Sequence, residues 1–357
     1  MHHRRLLVML IASLTGCVDK TDADYRAEIA TAMHDSIGVD LANLLQAARD
    51  LQAASPSVAW HTVPDEDGAI LRMRDAWKRM RTAYEDIEGA IVALFPGTDA
   101  TMDARYDETL AKTGPDQDLF DDRGFTGMHG IERILYAPEI RNEVTLVERR
   151  LKGYKPAAYP ASDDEAIEFK TQLVELLIDN AKTLRKQWRP DAVDIGTAYV
   201  GLVGLMREQN DKLNLAATGE EESRYANITM FDLRQNLGGT QKVYDLFGDW
   251  IRSKAAGPQS DSAVRHKFGE LETIYYSPSS PASSDALPSA PSDWSPDHPT
   301  PANLATPFGT LWQGVHDSVD PSSNGSVVYE MNRIADLLDF PAFVPRRASI
   351  TTASPLP

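Results

Sequence analysis

Apolar residues recur along most of the chain at intervals of three and four positions, the spacing that places side chains on one face of an α-helix. The clearest case spans residues 69–94, where the pattern continues without a gap. The apolar stripe consists of Ile70, Met73, Trp77, Met80, Tyr84, Ile87, Ile91 and Leu94. Pro96 and Gly97 follow it and end it. The pattern predicts one continuous amphipathic helix with a buried face.

The same periodicity predicts further helices and no β-sheet. The predicted helices span residues 22–54, 101–112, 127–137, 162–188, 191–217 and 222–254. Pro190 and Gly219 separate the last three of them. No alternation of apolar and polar residues is long enough to predict a strand. We therefore predict an all-α fold of two helical subdomains, or one long bundle with additions, because the chain exceeds the usual size of one small core.

The composition changes over residues 277–307, which contain eight of the 22 prolines together with many serines and alanines. We predict a non-helical linker or surface excursion here, since proline cannot continue a helix. Residues 18–276 would then form the main helical domain. Apolar patterns within residues 308–340 predict a terminal helical hairpin that packs on it, and residues 341–357 are predicted to be a loose tail.

The N-terminus has the pattern of a bacterial lipoprotein signal over residues 1–17. Two histidines and two arginines precede a short apolar run, and Leu14, Thr15 and Gly16 lead directly to Cys17. We expect Cys17 to carry a lipid that anchors the protein to a membrane facing the periplasm. The alternative is an ordinary cysteine in an uncleaved helix. Cys17 is the only cysteine, which excludes an intrachain disulfide and a thiolate zinc site.

The charge balance narrows the class of ligand. The chain has 36 Lys and Arg against 53 Asp and Glu, a net charge of −17. Nucleic acid is excluded as a partner, because its phosphates require a basic surface. An acidic protein suits cations, although exported proteins are often acidic for solubility alone.

His129 and Glu132 stand three positions apart in a predicted helix. This spacing places an imidazole and a carboxylate on the same face, close enough to chelate one metal ion. The spacing alone fits a salt-bridged or solvated helix face equally well. It therefore identifies a candidate ligand pair that needs support from the rest of the sequence.

Glu85 and Glu88 repeat this spacing, each one position beyond the apolar stripe. A carboxylate at the edge of a core is costly unless a cation pairs with it. That cation is either a metal ion or one of two nearby basic side chains, Arg81 and Lys78. Asp103 adds a further candidate ligand on the next short helix.

Three blocks of sequence resemble the EfeO family, which belongs with the imelysin-like peptidases. They are Tyr84-Glu85-Asp86-Ile87-Glu88, Met102-Asp103-Ala104-Arg105 and Phe125-Thr126-Gly127-Met128-His129-Gly130-Ile131-Glu132. Two later blocks also match, namely Gly219-Glu220-Glu221-Glu222-Ser223-Arg224-Tyr225 and Met230-Phe231-Asp232-Leu233 with Asn236-Leu237-Gly238-Gly239-Thr240-Gln241. The resemblance covers residues 25–255 and looks like the short form without a cupredoxin domain. Asn227 and Thr229 depart from the family, which has His and Asp at those positions.

The resemblance implies an α-helical fold of two bundle-like halves with a cleft between them. It implies periplasmic iron acquisition, with an iron permease and a haem-type peroxidase as partners. Carried over position by position, the metal ligands would be His129, Glu132, Glu85, Glu88 and Asp103, with Asp211 as a weaker candidate. One imidazole among carboxylates suits iron first, with zinc or manganese as alternatives.

Two other functions stay open. The family's peptidase name suggests a metallopeptidase, but the His-Glu-x-x-His motif of zinc peptidases does not occur around His129. A surface or polysaccharide-binding protein with a structural metal is the second alternative, because six tryptophans could stack on sugars. Trp77 argues against it, since it belongs to the predicted core stripe.

Overall fold

A computed structural model describes residues 20–64, 67–276, 284–341 and 343. The α-helices begin and end as follows: α1 Asp22–Ala54, α2 Ala69–Glu85, α3 Glu88–Leu94, α4 Pro96–Met102, α5 Tyr106–Thr113, α6 Gly127–Leu135, α7 Asn142–Glu148, α8 Asp163–Glu168, α9 Val174–Gln187, α10 Ile195–Ala216, α11 Thr229–Asp245, α12 Gly248–Ser253, α13 Gly257–Tyr276, α14 Pro301–Leu304, α15 Pro307–Val319 and α16 Val327–Leu337. A π-helical turn, Phe169–Leu173, joins α8 to α9. The described residues contain no strand, which confirms the predicted all-α fold.

Local sequence explains where several helices begin. Thr21 caps α1 through a reciprocal pair of hydrogen bonds with Asp24, and Ser162 caps α8 in the same way with Glu165. Asp194 accepts hydrogen bonds from the first N–H groups of α10. These caps satisfy backbone donors that no helical partner can reach.

Two predicted helices are interrupted. The predicted helix over residues 69–94 breaks at Asp86 and Ile87, because Ile87 adopts the non-helical φ of −123° and ψ of −6°. The predicted helix over residues 222–254 begins only at Thr229, after a series of turns, and breaks again between α11 and α12. The break after Glu85 and the late start of α11 lie where buried polar groups of the candidate site bond to the backbone, Asn236 to the Glu85 carbonyl and Glu132 to the Tyr225 N–H.

The helices pack in two groups. In the first group α1 packs against α2 and α9, and in the second α10 packs against α11, α15 and α16, with α13 against α16. The main link between the groups is the crossing of α3 over α10. The backbones approach so closely that a Cβ on Gly201 would overlap the carbonyl oxygen of Gly89. This crossing fixes the two groups relative to each other next to the polar site.

The proline-rich region packs on the helices. Asp285 pairs with Lys78 at 2.8 Å and with Arg234 at 3.1 Å. Trp294 lies edge-on to Phe308 and Trp312. The described part of this region is non-helical as far as α14, a single turn that the prediction for residues 277–307 omitted.

The last two helices follow the predicted positions, and both pack against α13. No helix in the described ranges is long and apolar enough to cross a membrane. Cys17 and the rest of the predicted signal lie outside the described residues, as does most of the predicted tail.

Candidate metal centre

The position of His129 follows from the way α6 packs on α4. Gly127, the first residue of α6, has a φ of +78°, and a Cβ there would lie 2.6 Å from the carbonyl oxygen of Met102. Glycine is therefore required for both conformation and space. The Trp77 indole N–H donates to the Met128 carbonyl at 3.0 Å and holds α6 against α2. Asp103 follows α4 directly, so this packing brings it to His129.

Three side chains converge at this point. The Nε2 atom of His129 lies 3.3 Å from Oδ1 of Asp103 and 3.4 Å from Oε1 of Glu222. One ligand atom from each residue lies within 4.8 Å of the other two. Ligands that each bind one ion at about 2.0–2.2 Å lie roughly 3–4 Å apart. The three donors, which we call the His129 triad, are therefore spaced to hold one metal ion after small adjustments.

Glu132 faces the other side of the imidazole. Its Oε2 atom lies 2.7 Å from Nδ1 of His129, and its Oε1 atom accepts the backbone N–H groups of Tyr225 at 2.9 Å and Ala226 at 2.8 Å. Such a carboxylate fixes the ring orientation and keeps the proton on Nδ1, which leaves Nε2 available for a metal. The sequence predicted that His129 and Glu132 would chelate one ion together. In this geometry Glu132 instead orients the histidine.

Glu85 and Glu88 lie beside permanent cations. Lys212 Nζ is 3.2 Å from Oε2 of Glu88 and 3.7 Å from Oε2 of Glu85. The Asn236 amide donates to Glu85 at 2.6 Å and to Glu88 at 2.8 Å. Arg81 also pairs with Glu85. Of the two neutralising side chains considered from the sequence, Arg81 therefore reaches Glu85, whereas Lys78 pairs with Asp285 instead.

Arg81 and Lys212 extend this network to the triad. Arg81 pairs with Asp103 and lies 3.2 Å from Glu222, and Lys212 lies 3.6 Å from the same glutamate. Asp232 completes the group, 3.7 Å from Arg81. Five carboxylates thus share two permanent cations, namely Glu85, Glu88, Asp103, Glu222 and Asp232. The interior carries an excess of acid that a further cation would relieve.

The pKa values of the buried groups are shifted by this excess of carboxylates over cations. Burial raises the pKa of Glu85 well above its ordinary value, and burial raises that of Asp232 to about 6 although Arg81 opposes it. Burial alone would lower the pKa of His129, but Asp103 and the hydrogen bonds of neighbouring carboxylates raise it well above its ordinary value. Without a metal, the imidazole is therefore the cation of the triad. A metal ion can take its place by displacing the proton on Nε2.

A cleft of about 660 Å³ opens above Asp103 and Glu222. Nine carboxylates line it, against three basic side chains. The acids are Glu88, Asp99, Asp103, Asp107, Glu108, Glu208, Asp211, Glu220 and Glu222, and the bases are Arg105, Lys112 and Lys212. A cleft lined mainly by one sign of charge concentrates ions of the opposite sign. Asp211, the weaker candidate, lies on this wall paired with Arg207, outside the triad.

Glu222 is the candidate ligand that the sequence analysis did not name. It is the last of three consecutive glutamates in a block that was assigned to the start of a helix. The signal that could have identified it is the block itself, which lies within the family resemblance. Of the two departures from the family, Asn227 takes a left-handed φ of +57°, which asparagine tolerates. Thr229 is buried as the first residue of α11.

Comparison with known proteins identifies the family of the chain and several of its relatives. A family model described as Imelysin matches residues 30–274, a range that includes the whole triad. The chain is 25% identical over 207 residues to the iron uptake system component EfeO of Escherichia coli strain K12, and equally to that of Shigella flexneri. The alignment covers 58% of this chain but only 44% of each relative. The chain therefore matches less than half the length of these relatives.

Proposed function

The chain belongs to the imelysin family, and from this premise we propose that it captures iron as a component of an iron uptake system. The observation that carries the proposal is the His129 triad at the floor of an acidic cleft. Its relatives supply the biological setting, since they are named as iron uptake system components. Iron is the cargo of such a protein and not a resident cofactor.

The donor set fits the proposed cargo. One imidazole nitrogen and two carboxylates make a hard site, which suits iron, manganese and zinc better than copper(I). The triad leaves coordination positions open toward the cleft, so water or a second carboxylate oxygen can complete the shell. Among the described residues, the triad contains a single histidine and no thiol.

Capture is better supported than peptide hydrolysis. A metallopeptidase needs a carboxylate beside the metal that is free to take a proton from water. Glu132 is the nearest carboxylate to His129 outside the triad, and its two oxygens are already bonded to His129 and to two backbone N–H groups. The geometry therefore favours a site that holds an ion.

We also propose that Cys17 carries a lipid that holds the protein at a periplasmic membrane surface. The lipoprotein pattern at residues 1–17 supports this, and the partners would be an iron permease and a haem-type peroxidase. The intact mass of protein extracted from membranes tests the anchor. A diacylglyceryl group on Cys17 is expected, and an unmodified Met1 would contradict it.

The metal site is tested by titrating the protein with ferrous, zinc and manganous ions. The ferrous titration is carried out without oxygen, and calorimetry and the melting temperature report binding. Wild type should bind one ion and melt higher with metal, because a ligand of the folded state stabilises it by mass action. His129→Ala should lose both effects. His266→Ala is the matched control, since His266 is exposed on α13 beside Glu270.

A second pair of variants separates the triad from the cleft wall. Asp103→Asn removes a ligand, whereas Asp211→Asn removes a carboxylate that lines the same cleft and pairs with Arg207. Binding should fall sharply in the first variant and change little in the second. Unchanged melting temperature of wild type with every ion, or equal losses in the two variants, would refute the proposed site.

A further inference from the structure

A second buried charge network lies directly behind the metal centre. Arg133 donates to Oε2 of Glu148 through Nε at 3.2 Å and Nη2 at 3.0 Å. The hydroxyl of Tyr225 donates to the other oxygen of Glu148 at 2.5 Å. All three side chains are buried, with exposed fractions near 2%. Arg133 also donates to the Lys155 carbonyl at 2.5 Å, so the charges of this network are satisfied without a metal.

Tyr225 touches this network and the metal centre at once. Its side chain binds Glu148, while its backbone N–H donates to Oε1 of Glu132 at 2.9 Å. Glu132 in turn holds Nδ1 of His129. The segment of residues 220–228 also presents Glu222 to the triad, three positions before Tyr225. One residue therefore stands between the buried ion pair and two groups that define the metal geometry.

The segment has little helical structure to hold it in place. Residues 220–228 form turns between α10 and α11. Two outer contacts also hold it, the pairing of Arg224 with Asp107 at 3.4 Å and that of Glu221 with Arg141. The Tyr225 hydroxyl adds a buried side-chain contact to those that Glu222 makes, and a hydrogen bond to a buried carboxylate is among the stronger ones. Losing it should loosen the segment without unfolding it.

We infer that Tyr225, held by Glu148 and Arg133, is a positioning residue that sets Glu222 and Glu132 for metal binding. The inference rests on the proposed function, since it assigns a role toward the His129 triad. Tyr225 itself does not reach the ion. It acts by fixing the backbone of the segment that carries Glu222 and the N–H groups that Glu132 accepts.

Tyr225→Phe tests the inference, because it removes one hydroxyl and keeps the ring. Tyr106→Phe is the matched control. Tyr106 is a buried tyrosine in the same small apolar cluster, its ring also lies against Arg133, and its hydroxyl bonds Lys155 instead of the 220–228 segment. With cobaltous ion as the probe, the dissociation constant should rise about tenfold in Tyr225→Phe and stay within twofold in Tyr106→Phe. The visible absorption of the bound cobalt should also change only in Tyr225→Phe, because the ligand geometry shifts.

Glu148→Gln separates positioning from stability. The amide offers Tyr225 a hydrogen-bond partner in either orientation but removes the charge that pairs with Arg133. The melting temperature should fall further in this variant than in Tyr225→Phe, while its cobalt affinity should stay close to that of wild type. If wild type binds no metal, the proposed function fails. If wild type binds and Tyr225→Phe binds equally well, or if affinity merely follows melting temperature across the variants, the positioning role is refuted while the metal site stands.

Discussion

The polar interior contains two pairs of carboxylates that are neutralised in different ways. Glu85 and Glu88 are held by Lys212, Arg81 and the Asn236 amide, groups that keep their charge or dipole at any pH the protein meets. Asp103 and Glu222 share Arg81 and Lys212 but also face His129. Of these cationic partners, only the imidazole can give up its proton to an approaching metal ion and leave a lone pair in its place.

The difference explains which carboxylates are suited to metal. An ion that approached Glu85 and Glu88 would have to displace the charged ammonium group of Lys212, which pairs with both. An ion that approaches Asp103 and Glu222 replaces a proton, which can leave through the cleft. Both pairs share Arg81 and Lys212, so the removable partner is what distinguishes them.

The largest expected effect comes from removing the cation that both pairs share. Arg81 is fully buried and contacts Glu85, Asp103 and Glu222. Arg81→Met leaves these carboxylates without their partner and should destabilise the metal-free protein by about 3–5 kcal/mol, measured by urea unfolding. Bound metal should recover more stability in this variant than in wild type, because it supplies the missing charge.

Arg79→Met is the control on the same helix. Arg79 forms exposed pairs with Asp50 and Asp75, and such pairs contribute at most about 1 kcal/mol. Equal losses in the two arginine variants would mean that the carboxylates do not depend on Arg81. The contrast between a shared permanent cation and a removable one would then have no energetic basis.

The second prediction compares one glutamate from each pair. Glu222→Gln should weaken metal binding about 100-fold, equal to about 2.7 kcal/mol, because it removes a charged ligand. Glu88→Gln should change the metal affinity by less than about threefold, since Glu88 already pairs with Lys212 and accepts a hydrogen bond from Asn236. Calorimetric titration with ferrous or zinc ion measures both. A larger loss in Glu88→Gln would restore the sequence-based assignment of Glu88 as a ligand.

The sequence predicts the helical fold and the general position of the site, for a physical reason. Helix periodicity is local, so the stripe from Ile70 to Leu94 predicts buried positions without knowledge of the fold. His129 and Asp103 likewise belong to blocks that the family resemblance identifies, and the structure brings them together. The break at Ile87 was not predictable from periodicity, because the apolar spacing continues across it.

The roles of individual carboxylates depend on contacts that no local pattern contains. Glu222 reaches His129 across 93 positions of sequence, and Lys212 reaches Glu88 across 124. Glu132 is three positions from His129, as a ligand would be, yet it faces Nδ1 and two backbone N–H groups from a distant segment. Spacing could identify these residues as a group but could not divide them into ligands, orienting groups and paired ions.

The third prediction concerns the role of Glu132 as the group that orients His129. In Glu132→Gln the amide oxygen can still accept the Tyr225 and Ala226 N–H groups, which turns the amide NH₂ toward Nδ1 of His129. The imidazole would then carry its proton on Nε2 and could not bind a metal through that atom. We expect affinity to fall about 10–100-fold with little loss of stability. Unchanged affinity would show that the histidine tautomer does not control the site.

The smallest expected effect concerns Asp99, a carboxylate in the same cleft whose bonded partner is the neutral hydroxyl of Tyr84. Burial, with a smaller contribution from Asp103, raises its pKa to about 7. The ionised form is therefore disfavoured in the folded state, at a cost in folding free energy that is full above pH 7. This cost shrinks as the folded protein takes up the proton and disappears below about pH 4.

Asp99→Asn keeps an oxygen for Tyr84 and should stabilise the metal-free protein by about 1 kcal/mol at pH 8, after allowance for solvent in the cleft. The gain should fade on acidification, as followed by urea unfolding across this pH range. A gain that is the same at pH 8 and pH 4 would come from something other than the charge. A loss at pH 8 would mean that even a carboxylate without a cationic partner is stabilised as an anion here, so the partner would not be what distinguishes the acids of this interior.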